Sequence, residues 1–177
     1  DFCKECTIDQ IQYFIDYIYL SNISIEYLKI YVNHIFAYLC RYNKNTETAF
    51  VYFKYNPDIT FDNCLAFREC CYRGDLEMAK WIYDLANGDI DHNVLDCWAF
   101  RKSCAKGKLE VVKWIHGLGT DVRIRKDEAF RLACFKNHLD VAKWLWSLGY
   151  HLEIHGNNEH MFRTACEFGY KKFAFWL

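Results

Sequence analysis

The stretch "AFRLACFKNHLDVAKWLWSLG" (Ala129–Gly149) decides the fold. Phe130, Ala133 and Cys134 fall at i, i+3 and i+4, the spacing of one helical face. Asn137 tolerates the left-handed conformation that stops a helix. A second helical stripe follows at Leu139, Val141, Ala142, Leu145 and Leu148, and Gly149 ends it. Two helices this short cannot bury both faces alone, so the stretch needs neighbours.

The sequence supplies them. "LAFRECCYRGDLEMAKWIYDL" begins at Leu65, "WAFRKSCAKGKLEVVKWIHGLG" at Trp98 and "HMFRTACEFGYKKFAFWL" at His160. The Phe-Arg anchor recurs at Phe67-Arg68, Phe100-Arg101, Phe130-Arg131 and Phe162-Arg163, at spacings of 33, 30 and 32 residues. Four residues on stand Cys71, Cys104, Cys134 and Cys166; then come Gly74, Gly107, Asn137 and Gly169. Fourteen residues after each Phe stands Trp81, Trp114, Trp144 or Trp176. A period of this length marks a solenoid, in which each tile covers its neighbour's apolar face. A degenerate tile lies upstream, with Phe36, Cys40, Asn43 and Phe50 in the same columns. Before it, Ile8, Ile11, Ile15 and Ile18 make a helical stripe that serves either as a cap or as half of an earlier tile.

The expected architecture is all-α: a solenoid of stacked helix-turn-helix tiles. Residues 1–32 form a helical segment or degenerate repeat, 33–63 a degenerate tile, 64–96, 97–126 and 127–158 full tiles, and 159–177 a truncated one. The last tile stops inside its second helix without a polar cap, so the chain is expected to belong to a longer protein.

Composition narrows the function. Of 177 residues, 53% are hydrophobic and 19% aromatic, enough for a packed core. The formal net charge of −1 argues against a protein that coats nucleic acid. No apolar run approaches the roughly 18 to 20 residues of a membrane span. The ten cysteines, in a chain long enough to bury a core without staples, read as reduced thiols in a cytoplasmic compartment.

The second half of each tile resembles the ankyrin repeat, most clearly in "LEVVKWIHGLGTDV" (Leu109–Val122) and "LDVAKWLWSLGYHL" (Leu139–Leu152). The resemblance covers residues 35–177 and departs at the first helix, where "AFR" replaces the family's threonine-proline-leucine-histidine start and cysteine replaces alanine. That variant resembles the ankyrin arrays encoded by giant DNA viruses of amoebae, of the mimivirus kind. The resemblance implies a non-enzymatic module that holds a protein partner in a concave groove, in the host cytoplasm or a viral factory. Its implied groove residues are the two before each inter-helix glycine, and among them Arg41, Tyr42, Tyr72, Arg73, Lys106, Phe135, Lys136 and Phe168 supply aromatic and basic contacts. Arg131 joins them from the outer side of its helix. Aromatic residues and arginine on a rigid surface are what interfaces favour. Two alternatives stay open: a structural component of a virion or replication compartment, and a nucleic-acid-associated module.

Other residues invite chemical readings that their spacing does not support. One cysteine per tile, on helices about 8 to 10 Å apart, suits neither a disulfide nor a zinc site. Cys134 and His138 lie at i, i+4, but the thiol belongs to the core face. Cys3 and Cys6 form a single pair, and His151, His155 and His160 share a loop; neither makes a metal motif. Glu77–Lys80, Glu110–Lys113 and Asp140–Lys143 read as i, i+3 pairs on a solvated helix back. No cofactor, metal or small-molecule site is expected.

Overall fold

The computed structural model describes residues 5–21, 23–42, 44–120, 128–149 and 158–176. Those residues form helices throughout: α1 (Ile8–Leu20), α2 (Ile25–Arg41), α3 (Asn45–Tyr55), α4 (Phe61–Arg73), α5 (Leu76–Leu85), α6 (Val94–Ala105), α7 (Leu109–Gly117), α8 (Glu128–Phe135), α9 (Leu139–Ser147), α10 (Asn158–Glu167) and α11 (Lys171–Ala174). The fold class is all-α, a helical-repeat solenoid. The chain divides into two compact units. One comprises Asp1–Cys70 and Glu77–Ile90, the other Cys71–Leu76 and Asp91–Leu177.

In the first unit, α1 starts on a capping box: the Gln10 N–H donates to the Thr7 hydroxyl and the Thr7 N–H to the Gln10 side chain. The predicted isoleucine stripe faces inward, with Ile11, Ile15 and Ile18 buried against α2. Phe36 and Cys40 on α2 are fully buried. Phe36 meets Tyr52 of α3 at 6.2 Å between ring centroids and 41° between planes. Phe67 meets Tyr83 in nearly the same geometry, 6.4 Å and 43°.

In the second unit, the first helices α6, α8 and α10 pack side by side, and α7 lies against α9. Each first helix ends in a Schellman turn, which satisfies two orphan carbonyls at once. In α6 the Gly107 N–H donates to Cys104 O and the Lys108 N–H to Ser103 O; in α8 the Asn137 N–H donates to Cys134 O and the His138 N–H to Ala133 O. The turn needs a positive φ, which is +68° at Gly107 and +61° at Asn137.

Neighbouring tiles are joined by polar ties as well as by apolar faces. The buried Ser103 hydroxyl donates to Cys71 O at 2.9 Å. The His138 ring donates through Nε2 to Ala105 O at 3.1 Å. Phe100 and Phe130 are fully buried, whereas Phe162 of the last tile is 50% exposed. Cys166 is exposed too, although Cys71, Cys104 and Cys134 in the same column are buried. The sequence pattern marks Phe162 and Cys166 as core.

The second helices carry an aromatic ladder. Trp81 meets Tyr52 at 5.5 Å and 75°, Trp144 meets His116 at 5.3 Å and 89°, and Trp176 meets Trp146 at 5.4 Å and 75°. Each pair joins the Trp column of one tile to the ring that stands two residues after that column in the tile before, edge to face. This is the arrangement that aromatic quadrupoles favour.

Candidate functional site

Two members of the arginine column hold the turns that open their own tiles. At the start of α4, Asp62, Asn63 and Cys64 all adopt left-handed backbone angles, as do Leu95, Asp96 and Cys97 at the start of α6. Left-handed residues with a Cβ cost about 1–2 kcal/mol each, so the turn needs support. Arg68 supplies it with Nε donating to Asn63 O at 2.9 Å and Nη2 to Asp62 O at 2.6 Å. Arg101 repeats the arrangement on Asp96 O at 2.7 Å and Leu95 O at 3.1 Å. Its remaining Nη1 reaches Glu128 at 2.8 Å, at the head of the next tile's first helix. Arg68 and Arg101 are therefore buried structural ties, and only Arg131 and Arg163 in that column stand exposed.

The residues expected to meet a partner fall into separate groups. Arg41 and Tyr42 lie in the first unit, where the Arg41 guanidinium pairs with Glu69 at 3.4 Å and Tyr42 closes α2 through its N–H. Arg73 is held by Asp75. Arg131 is exposed on α8.

The other five assemble into two aromatic–basic clusters in the second unit. Tyr72 lies 5.9 Å from Trp98, and the ammonium of the exposed Lys106 sits 4.8 Å from the Tyr72 ring centroid. One tile on, Lys136 lies 5.9 Å from the centroid of Phe135. Phe135, 48% exposed, meets Phe168, 56% exposed, at 5.9 Å and 64°. Tyr170 stacks on Phe168 at 5.7 Å and 22°. Phe135 thus packs against Phe168 of the next tile and Lys136 of its own. Lysine ammonium groups over ring faces are attracted by the ring quadrupole, which fixes otherwise mobile side chains.

The thiols do different work. Burial pushes the Cys71, Cys104 and Cys134 thiols far up, which keeps them neutral and inert. His138, the suggested partner of Cys134, is committed to Ala105 O and packs its Nδ1 against Gly107. Cys6 is buried and its thiol is also raised, chiefly by desolvation. Its suggested companion Cys3 lies outside the described residues, as do His151, His155 and the side chain of His160. Among the described residues no group of three His, Cys, Asp or Glu side chains is placed to hold a metal ion. Among them also, no helix is long and apolar enough to cross a membrane. Two of the three suggested surface pairs form, Lys80–Glu77 at 3.7 Å and Lys113–Glu110 at 2.9 Å.

Helix pairs in register, joined by Schellman turns and tied tile to tile, with exposed rings and lysines just before those turns, define a helical-repeat scaffold. Residues 97–145, spanning α6 to α9, match the family model for ankyrin repeats in many copies, which supports an ankyrin-repeat protein. Ankyrin repeats generally mediate protein–protein interaction. A search of curated proteins found no match.

The column that the sequence reading missed is the ring partner of Trp81, Trp144 and Trp176. Its signal is present: Tyr52, His116 and Trp146 each follow the tryptophan column, or Phe50 in its place, by two residues.

Proposed function

We propose that this chain is a non-enzymatic protein-binding module whose partner docks on the strip running from Tyr72 and Lys106 to Phe135, Lys136 and Phe168. The exposed Phe135–Phe168 pair carries the reading, because two large rings held against each other in solvent gain most when a partner covers them. The tile bounds at 33–63, 64–96, 97–126, 127–158 and 159–177 belong to the same proposal, with Arg73 and Arg131 as flanking contacts of the strip and Arg41 and Tyr42 as contacts offered separately by the first unit. On the resemblance of its tile variant, we place the protein in a virus of amoebae, engaging host or viral machinery in the cytoplasm.

The test is cross-linking of the full-length protein to its partners in the native cell, with the cross-links mapped to residues. Cross-links at Lys106 and Lys136 that disappear in F135A/F168A are the expected result. Cross-links confined to the backs of the second helices, such as Lys113, would sink the assignment.

One observation favours a second reading, a structural component that assembles through its tiles. Phe162, Ala165, Cys166, Ala174 and Phe175 line an apolar cleft of about 350 Å³, and Phe175 is 92% exposed. Incorporation into large assemblies that is lost in F162D/F175D and indifferent to F135A/F168A would favour it over groove binding.

A further inference from the structure

We propose that the segment taken by this strip is acidic and extended in the polyproline II conformation, with carboxylates three residues apart followed by an apolar side chain after one more such step. The proposal rests on the protein-binding reading above and adds the chemistry of the ligand.

The column just before the inter-helix turn reads Arg73, Lys106, Lys136 and Phe168. Arg73 already has a carboxylate in Asp75. Lys106 and Lys136 are exposed, and each lies over a ring, Lys106 over Tyr72 and Lys136 over Phe135. A lysine held over a ring presents its ammonium from a fixed place, with part of its ordering cost already met before binding. The next position in the column is apolar, Phe168 against Phe135. The strip thus offers cation, cation and ring in consecutive tiles.

The step between these positions sets the spacing of the ligand. First helices of adjacent tiles pack directly, which places equivalent positions about 8–10 Å apart. A polyproline II segment rises about 3.1 Å per residue and repeats its face every three residues, so about 9 Å separates side chains on one face. A β-strand repeats its face every two residues, at about 6.6 Å, and misses the second lysine. Carboxylates at a three-residue interval therefore meet Lys106 and Lys136 together, and the following step brings an apolar side chain to Phe135 and Phe168.

The probe is a fluorescein-labelled peptide with glutamate, two spacer residues, glutamate, two spacer residues and leucine, the spacers being proline and alanine. Its anisotropy is measured with the full chain at low and at physiological ionic strength. The expected result is binding that weakens several-fold as salt rises and that drops by about tenfold or more in K106E/K136E. The glutamine version of the peptide should bind correspondingly worse. The lysines are exposed and unfolding is monitored by circular dichroism; K106M/K136M, which keeps the stems over the rings, should lose the same affinity. Equal binding of the glutamate and glutamine peptides, or no binding by either, overturns the acidic assignment. If the glutamine peptide binds as well and F135A/F168A abolishes it, the strip remains the docking surface and only the charge class fails. Acidic binding that neither double variant changes overturns both readings.

Discussion

Trp144 stands edge-on to His116 of the preceding tile, ring centroids 5.3 Å apart and planes at 89°, in the same relation that Trp176 has to Trp146. The tryptophan column thus serves as the joint between tiles. Trp144→Ala is expected to destabilise the chain by about 3–5 kcal/mol, measured by urea unfolding. A double-mutant cycle with His116→Ala should return a coupling of about 0.5–1.5 kcal/mol. Additive single effects would show that Trp144 acts by volume alone.

Arg101 holds two things at once, its own left-handed entry turn and Glu128 of the next tile. Arg101→Ala strands a part-buried carboxylate and releases two carbonyls, so a loss of about 3–5 kcal/mol is expected. Arg101→Lys should recover little, because an ammonium lacks the planar fork that reaches all three acceptors. Recovery of most of the stability by lysine, in the same unfolding assay, would contradict the assignment.

Gly107 is required twice. Its φ of +68° suits glycine, and a Cβ there would overlap His138 Nδ1. Gly107→Ala should cost about 1–2 kcal/mol from the backbone alone, plus the displacement of the His138 ring from Ala105 O. His138→Ala in the same chain should relieve the second part and leave the first. A Gly107→Ala chain as stable as the parent by thermal melting would exclude both.

Buried thiols give stability a pH dependence at the alkaline end. The pKa values of Cys71, Cys104 and Cys134 are raised above the ordinary 9.0 by burial. The folded chain therefore holds these protons more tightly than the unfolded chain does. Their contribution is complete below the unfolded value and is lost as pH rises from there towards the raised folded values. Above the unfolded value stability therefore falls progressively with pH, each thiol adding to the slope. Urea unfolding between pH 8 and pH 10 measures the slope, and C104A/C134A should make it shallower.

The fold was legible because the tile recurs: Phe67, Phe100 and Phe130 occupy one buried column, and Gly74, Gly107, Asn137 and Gly169 all adopt positive φ where the turn requires it. What the pattern could not reveal was context. Arg68, Arg101, Arg131 and Arg163 are identical letters, yet two are buried under left-handed turns and two are exposed. Arg68 and Arg101 hold left-handed backbone at residues 62–64 and 95–97, which no side-chain periodicity reports. The candidate site was partly legible for a similar reason. Counting back from the turn selects Lys106, Phe135, Lys136 and Phe168, but which lysine lies over which ring depends on packing between tiles rather than on spacing within one.

The polar ties from Ser103 to Cys71 O and from His138 to Ala105 O, together with the tryptophan joints, all connect a tile to its immediate neighbour. Length in this chain is therefore counted in whole periods. Duplicating one complete tile recreates every junction on both sides of the insertion, whereas adding half a tile sets a first helix where a second belongs and breaks them. Growth and loss by recombination should leave viable descendants only in multiples of the repeat, and the register of the array outlasts its length.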